Sequence, residues 1–357
     1  MRITSIDFHL LDLGLDKPYS TSYRTVNKVE NTFAIITLEN GIRGVGAANP
    51  SRRVVGEDAA ETLQALEQWD KEVLVNRDIR GFHDCLDQVH RTLIGHCGAR
   101  AALDVALYDA FTQFLEVPLV QFLGQRIPYL PTSITIGIKD IPESLEEVRE
   151  HLKKGFRCLK VKVGRSVEED VERLIAIREA VGRHIRLRVD LNEAYHAEDL
   201  LLFYHRISEL NLELIEQPLP VTESANMKEL PLNVRRLIAA DECLVSAKDA
   251  FQLVSYPESC GIFNVKLMKS GGIRPALAIA SIAGITDTDL MWGCNDESMI
   301  SIAAALHTAM ACRKTRYLDL DGCFHLTKDV AAEAFVLKDG ILSITGLPGI
   351  GWKKLLL

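Results

Sequence analysis

From Thr132 onward the chain repeats one pattern: a short apolar strand, a turn, then an amphipathic helix. Eight strands read in succession, at 132–138, 158–163, 185–190, 212–216, 236–241, 261–266, 290–293 and 316–320, most of them followed by helical runs such as EDVERLIAIREAV and HAEDLLLFYHRI. Eight strands alternating with helices predict an α/β fold, a modified TIM-type (β/α)8 barrel; an open doubly wound sheet is the other arrangement the alternation permits.

The residues ahead of this repeat follow a different rhythm. Arg2–Leu11, Asn31–Leu38 and Arg43–Ala48 alternate in the manner of strands, with Asn40-Gly41 as a hairpin signal between the last two, and from about Glu57 to Phe114 the period becomes helical. A sheet followed by helices predicts an α+β unit. The expected division is this α+β unit over 1–125, a barrel over 126–322, and a C-terminal segment over 323–357 that packs back on the first unit.

Charge narrows the function classes. Lys plus Arg number 41 against 49 Asp plus Glu, a net −8 with no basic cluster, which disfavours nucleic acid and anionic membranes as partners and leaves a small molecule. Asp7, Asp12 and Asp16 interrupt the apolar start, so no signal peptide is expected, and no segment is long and apolar enough to span a bilayer. Eight scattered cysteines without a CxxC pair read as reduced core thiols of a cytoplasmic protein; a homo-oligomer is left open.

In a barrel, chemistry sits where strands end at the C-terminal face. Three consecutive strands end there in an acid: Asp190, Glu216 and Asp241. Oxygen ligands from adjacent strands can converge on one hard cation and leave room for water and substrate, as Mg²⁺ prefers. A strand-terminal Asp also commonly anchors a turn, which would account for Asp190 and Asp241 but not for Glu216, set between an apolar run and Pro218. In CLKVKV, Lys160 and Lys162 are two apart and share a face. A parallel barrel strand has no solvated face, so two buried ammonium groups need carboxylates or a function to compensate them. Lys266 ends the sixth strand, across the ring from the second, and Lys269 in the following loop reads as a solvated or anion-positioning residue.

Lys160-x-Lys162, Asp190-x-Asn192, Glu216-Gln217-Pro218, Asp241-Glu242 and Lys266 ahead of Gly271-Gly272 together resemble the muconate-lactonising-enzyme-like subgroup of the enolase superfamily, over about half the chain, and the preceding α+β unit resembles that family's capping domain. The resemblance implies one Mg²⁺ on Asp190, Glu216 and Asp241, with Asn192, Gln217 and Glu242 beside them. It also implies acid/base lysines at Lys162 and Lys266, and Lys160 supporting developing negative charge. Within that subgroup, RYLDLDG resembles the dipeptide epimerases, which makes Asp319 and Asp321 expected ligands of a substrate ammonium; a strand-end turn before Gly322 is the plainer reading. Arg24 in YSTSYRTV matches the arginine of the family's closing loop, and Thr135, Asp296 and Glu297 join the expected substrate contacts. Asp296 favours a cationic side chain, whereas Arg52 and Arg53 in the cap pull the other way.

The implied activity is Mg²⁺-dependent proton transfer at the α-carbon of the C-terminal residue of an L,L-dipeptide. N-acylamino-acid racemase, o-succinylbenzoate synthase and cycloisomerase share the metal and lysine set. A silent barrel that binds a carboxylate would keep the acids without needing two opposed lysines.

Overall fold

The computed structural model describes residues 1–20 and 25–356. Arg24 therefore lies outside the described residues. Strands Ile3–Asp12, Glu30–Leu38 and Arg43–Ala48 form an antiparallel sheet with the second in the centre. Helix Cys97–Phe114 lies on it and is buried along most of its length. Its alanines permit close approach on more than one side, so it meets the sheet and also reaches the barrel, where Asp104 accepts the Ile273 N–H at 2.6 Å.

The barrel strands are Ile134–Ile136, Cys158–Lys162, Arg186–Asp190, Leu212–Glu216, Ile238–Ala240, Ile262–Val265, Asp289–Gly293 and Thr315–Asp319, paired in chain order. A parallel bridge between Thr132 and Leu318, with the Ser133 N–H on the Leu318 carbonyl at 3.0 Å, brings the first strand to the last. The ring is thus nearly closed, and the open doubly wound alternative falls away.

The barrel interior is not wholly apolar. Arg188, fully buried, donates to Glu213 at 2.9 Å and to the Leu318 carbonyl at 2.7 Å, and lies 5.1 Å from the Tyr317 ring centre. Beyond the barrel, Ile341–Ile344 pairs with Phe335–Lys338 on one side and with Tyr129–Pro131 on the other. The chain then reaches Asp109 of the cap through the Ile350 N–H and the Trp352 indole, both at 2.9 Å. Among the described residues all eight cysteines are free and no helix is long and apolar enough to cross a membrane.

Candidate active site

Asp190 and Glu216 end neighbouring strands and sit opposite each other in register, and Asp241 follows the next strand directly. All three are at most 2% exposed. Charged side chains so deeply buried need partners, and the lysines supply them. Lys160 Nζ lies 3.1 Å from Asp190, 2.8 Å from Glu216 and 2.7 Å from Asp319. Lys162 stands 3.0 Å from Asp190 and donates to Asn192 Oδ1 at 2.8 Å. Lys266 stands 2.7 Å from Asp241. The acids thus form an arc with Lys162 at one end, Lys266 at the other and Lys160 at its centre.

Burial works against ionisation of Lys160, but Asp190, Asp319 and Glu216 outweigh it and hold its pKa well above the usual lysine value. Lys266 is raised likewise, Asp241 and Glu216 overcoming burial. Glu216 is pushed well above the ordinary carboxylate range, first by burial and then by Asp190. For Glu242 the same combination, burial followed by Asp241 and Asp190, gives a value of about 7. More negative charge is gathered here than the lysines neutralise comfortably.

The backbone around the ligand candidates is locally stapled. Asn192, two residues after Asp190, and Gln217, directly after Glu216, turn the chain at positive φ (41° and 29°). Such strained conformations persist only when side chains hold them. Asn192 N–H bonds Asp190 Oδ1 at 3.0 Å while its amide reaches Glu242 at 3.2 Å. Gln217 Oε1 accepts from the Asp241 N–H at 3.0 Å, tying the fourth strand end to the fifth.

Asn264, which carries no expected role, and Lys269 complete the frame. Asn264 donates to Glu216 Oε1 at 2.8 Å. Lys269, read as a solvated or anion-positioning residue, is not solvated: it is 3% exposed and bonds the Asp241 carboxylate, the Asp241 carbonyl at 2.5 Å and the Asn264 carbonyl at 3.0 Å. It is turned inward because Leu267–Ser270 forms one helical turn that Gly271-Gly272 breaks off. Gly272 is obligatory for the close approach of the cap: a Cβ there would stand 2.5 Å from the Asp104 carboxyl carbon.

Gly293, at the seventh strand end, leaves room for Lys266. An added Cβ would lie 3.0 Å from Lys266 Cε and 2.6 Å from Asn264 Oδ1. Gly293→Ala should therefore displace Lys266 without unfolding the barrel. We expect kcat to fall about ten- to a hundredfold, since a misplacement of about 1 Å can cost that much, with the melting temperature of the variant as the control.

A cavity of about 420 Å³ opens over this arc and is lined by Lys160, Lys162 and Lys266 as well as Thr135, Asp296 and Asp321. Asp319 and Asp321 differ in engagement. Both oxygens of Asp319 are taken, by Ser133 at 2.6 Å and Lys160 at 2.7 Å. Asp321 is held by Thr135, accepting its N–H at 2.8 Å through Oδ2 and engaging its hydroxyl as well, while the Cys294 thiol stands 4.0 Å from Oδ1. Asp296 accepts from the Tyr19 hydroxyl at 2.7 Å. Glu297 is brought close but not to the cavity wall: it is 2% exposed and turns back to accept the Asn295 N–H at 2.7 Å. The two cap arginines are answered by acids, Arg52 by Asp58 at 2.6 Å and Arg53 by Glu193 at 2.7 Å, so their positive charge is largely offset.

Hard oxygen donors in mutual repulsion suit a divalent cation. Among the described residues no three such side chains converge on one ligation point as they stand, because the ammonium groups of the lysines lie on the carboxylates. Glu216 Oε2 nevertheless has no aligned hydrogen bond, despite Lys160 at 2.8 Å, and Glu242 Oε2 has none either. The donor set, its crowding and its unsatisfied oxygens fit Mg²⁺.

Comparison with known proteins agrees with this geometry. Residues 6–124 match the family described as mandelate racemase/muconate lactonizing enzyme, N-terminal domain, and residues 143–353 match the enolase C-terminal domain-like family. The L-Lys-D/L-Arg epimerase of Methylococcus capsulatus is 46% identical over 98% of this chain and 99% of its own, and that of Desulforapulum autotrophicum is 44% identical over 99% and 100%. A crystal structure of the dipeptide epimerase from Methylococcus capsulatus, complexed with Mg and the dipeptide L-Arg-D-Lys, superposes with a TM-score of 0.97 at 46% identity, covering 99% of this chain and 100% of that one.

Proposed function

The chain belongs to the mandelate racemase/muconate lactonizing enzyme family of the enolase superfamily, and on that premise we propose a Mg²⁺-dependent dipeptide epimerase that inverts the C-terminal α-carbon of L,L-dipeptides bearing cationic side chains. The observation that carries this reading is the pair Lys162 and Lys266, each held by a different end of one arc of carboxylates. A racemising site needs a proton carrier on each side of the substrate plane, and a mere carboxylate binder does not.

An α-proton beside a carboxylate is a very weak acid, because its removal places a second negative charge on that group. Mg²⁺ held by Asp190, Glu216 and Asp241 supplies electrostatic neutralisation of that charge. Lys162 or Lys266 takes the proton at Nζ, and the opposite lysine returns one to the other face. Lys160, fixed by Asp319, is aimed where the charge develops and supports it there.

Asp319 thus positions Lys160, and Asp321, held by Thr135 and free of any lysine, lines the cavity and is left to bind the substrate's α-ammonium. The cationic preference rests on Asp296, on the offset charges of Arg52 and Arg53, and on the specificity named for the two similar epimerases. Free thiols throughout suit the cytoplasm.

Screening L,L-dipeptides by mass spectrometry in D₂O tests the proposal. Turnover should insert one deuterium at the C-terminal α-carbon and yield the L,D product; no exchange with any dipeptide would refute it. A finer prediction concerns Asp321. An ammonium-to-carboxylate hydrogen bond is worth about 1.5–3 kcal/mol, so Asp321→Asn should lower kcat/KM for free dipeptides about ten- to a hundredfold and leave N-acetylated ones unchanged. Equal turnover of free and N-acetylated dipeptides by the parent protein would favour an N-acylamino-acid racemase instead.

A further inference from the structure

The cavity above the catalytic arc extends along helix Ile141–Lys153, where Glu143, Glu147 and His151 line it. These three recur at intervals of four residues and so form one stripe down the helix. The stripe runs from an exposed Glu143 through a half-buried Glu147 to a buried His151, and the buried end of such a stripe is ordinarily apolar. Here it is acidic at one end and closes on a histidine.

His151 is 3% exposed, yet neither ring nitrogen has a hydrogen-bond partner, and Glu147 Oε2 has the Lys139 ammonium nearby but no aligned hydrogen bond. Buried polar groups are nearly always satisfied. Burial, with His325 adding to it, holds the His151 imidazole neutral at a pKa of about 4, so it presents a lone pair as well as an N–H. Around the stripe, Glu143, Glu146, Glu147 and Glu150 face Lys139, Lys154 and Lys17, and Asp16 lies near His325 at 3.3 Å. Lys139 is paired with Glu147 at 3.2 Å. Acid remains in excess.

The location of this arm relates it to one end of the substrate. Asp321 is bonded to the Thr135 N–H, and the helix begins five residues after the first barrel strand ends. A dipeptide whose ammonium sits on Asp321 therefore has its N-terminal residue at the mouth of the arm. We propose that this arm is the subsite for a long cationic side chain on the substrate's N-terminal residue, Glu143 and Glu147 meeting its charge and His151 accepting one of its hydrogen bonds. A guanidinium, with five donors and no acceptor, complements such a set of acceptors. The assignment rests on the dipeptide epimerase reading above.

The experiment compares L-Arg-L-Lys with L-Ala-L-Lys on the parent protein and on Glu143→Gln, Glu147→Gln and His151→Phe. The parent should favour L-Arg-L-Lys. Glu147→Gln and His151→Phe should each lower kcat/KM for L-Arg-L-Lys about tenfold, mainly through KM, with L-Ala-L-Lys within about threefold of the parent. Glu143→Gln, at an exposed position, gives a smaller change in the same sense and cannot act by unfolding. A parallel loss on both substrates, or no change in their ratio in any variant, would mean that the stripe serves only packing or bound water and would overturn the proposal. Absence of exchange with every dipeptide by the parent would instead bring down the underlying epimerase reading, and the subsite with it.

Discussion

Glu216→Gln should give a folded protein whose epimerisation has fallen by about a thousandfold or more in kcat/KM. The substitution keeps the shape and removes one negative charge from the acids proposed to hold Mg²⁺. Electrostatic stabilisation by a bound divalent ion contributes several kcal/mol to the barrier, and roughly 4 kcal/mol corresponds to about three orders of magnitude. Folding should survive because a glutamine oxygen can still accept from Asn264 Nδ2, and because Lys160 retains Asp190 and Asp319 as partners. Glu216 is also the least comfortable acid of the set, crowded by burial and by Asp190. Removing its charge relieves repulsion in the folded state as much as it removes an attraction. The measurements are chiral chromatography of the product, calorimetric titration with Mg²⁺ and a thermal melt. Near-parent turnover by the variant, or turnover by the parent in excess chelator, would sink the assignment.

Much of this site was legible because its signals are local. A lysine pair at spacing two inside an apolar strand, and acids at three successive strand ends, need only strand parity and barrel topology to become one arc. The same parity contained more than the sequence reading drew from it. Arg188 is two residues before Asp190 and Asn264 two before Lys266, so each shares a face with a site residue, and both turn out to brace the site from within the barrel. Lys269 could not be placed that way, because its direction depends on a single helical turn and on the buried carbonyls that receive it. Asp319 and Asp321 looked equivalent, but Asp321 lies past the end of its strand, where alternation no longer governs, and the Thr135 N–H fixes its carboxylate. The arm along helix Ile141–Lys153 was hidden altogether, since glutamates on a surface helix read as a solvated face until the tertiary structure shows what they line.

The two lysines proposed as acid and base should separate cleanly. Lys162 and Lys266 retain side-chain exposures of 13% and 12%, whereas Lys160 has 5%, so the cavity reaches the outer pair more readily than the central one. Either alanine variant should remain folded: without Lys162, Asp190 keeps Lys160, and without Lys266, Asp241 keeps Lys269. Inversion requires a proton removed from one face and delivered to the other, so each variant should lose epimerisation by about a thousandfold, within the range that general acid–base groups contribute. Exchange without inversion is a different matter. The remaining lysine can remove the α-proton from its own side, trade it for solvent deuterium and return it to the same face. Lys162→Ala and Lys266→Ala should therefore each wash deuterium into only one stereoisomer of the C-terminal residue, and into opposite ones. Mass spectrometry of the L,L- and L,D-dipeptides incubated separately in D₂O reads this directly. If both variants exchange the same isomer, or if either still interconverts the two at the parent rate, the lysines do not stand on opposite faces of the substrate and the two-base mechanism is wrong.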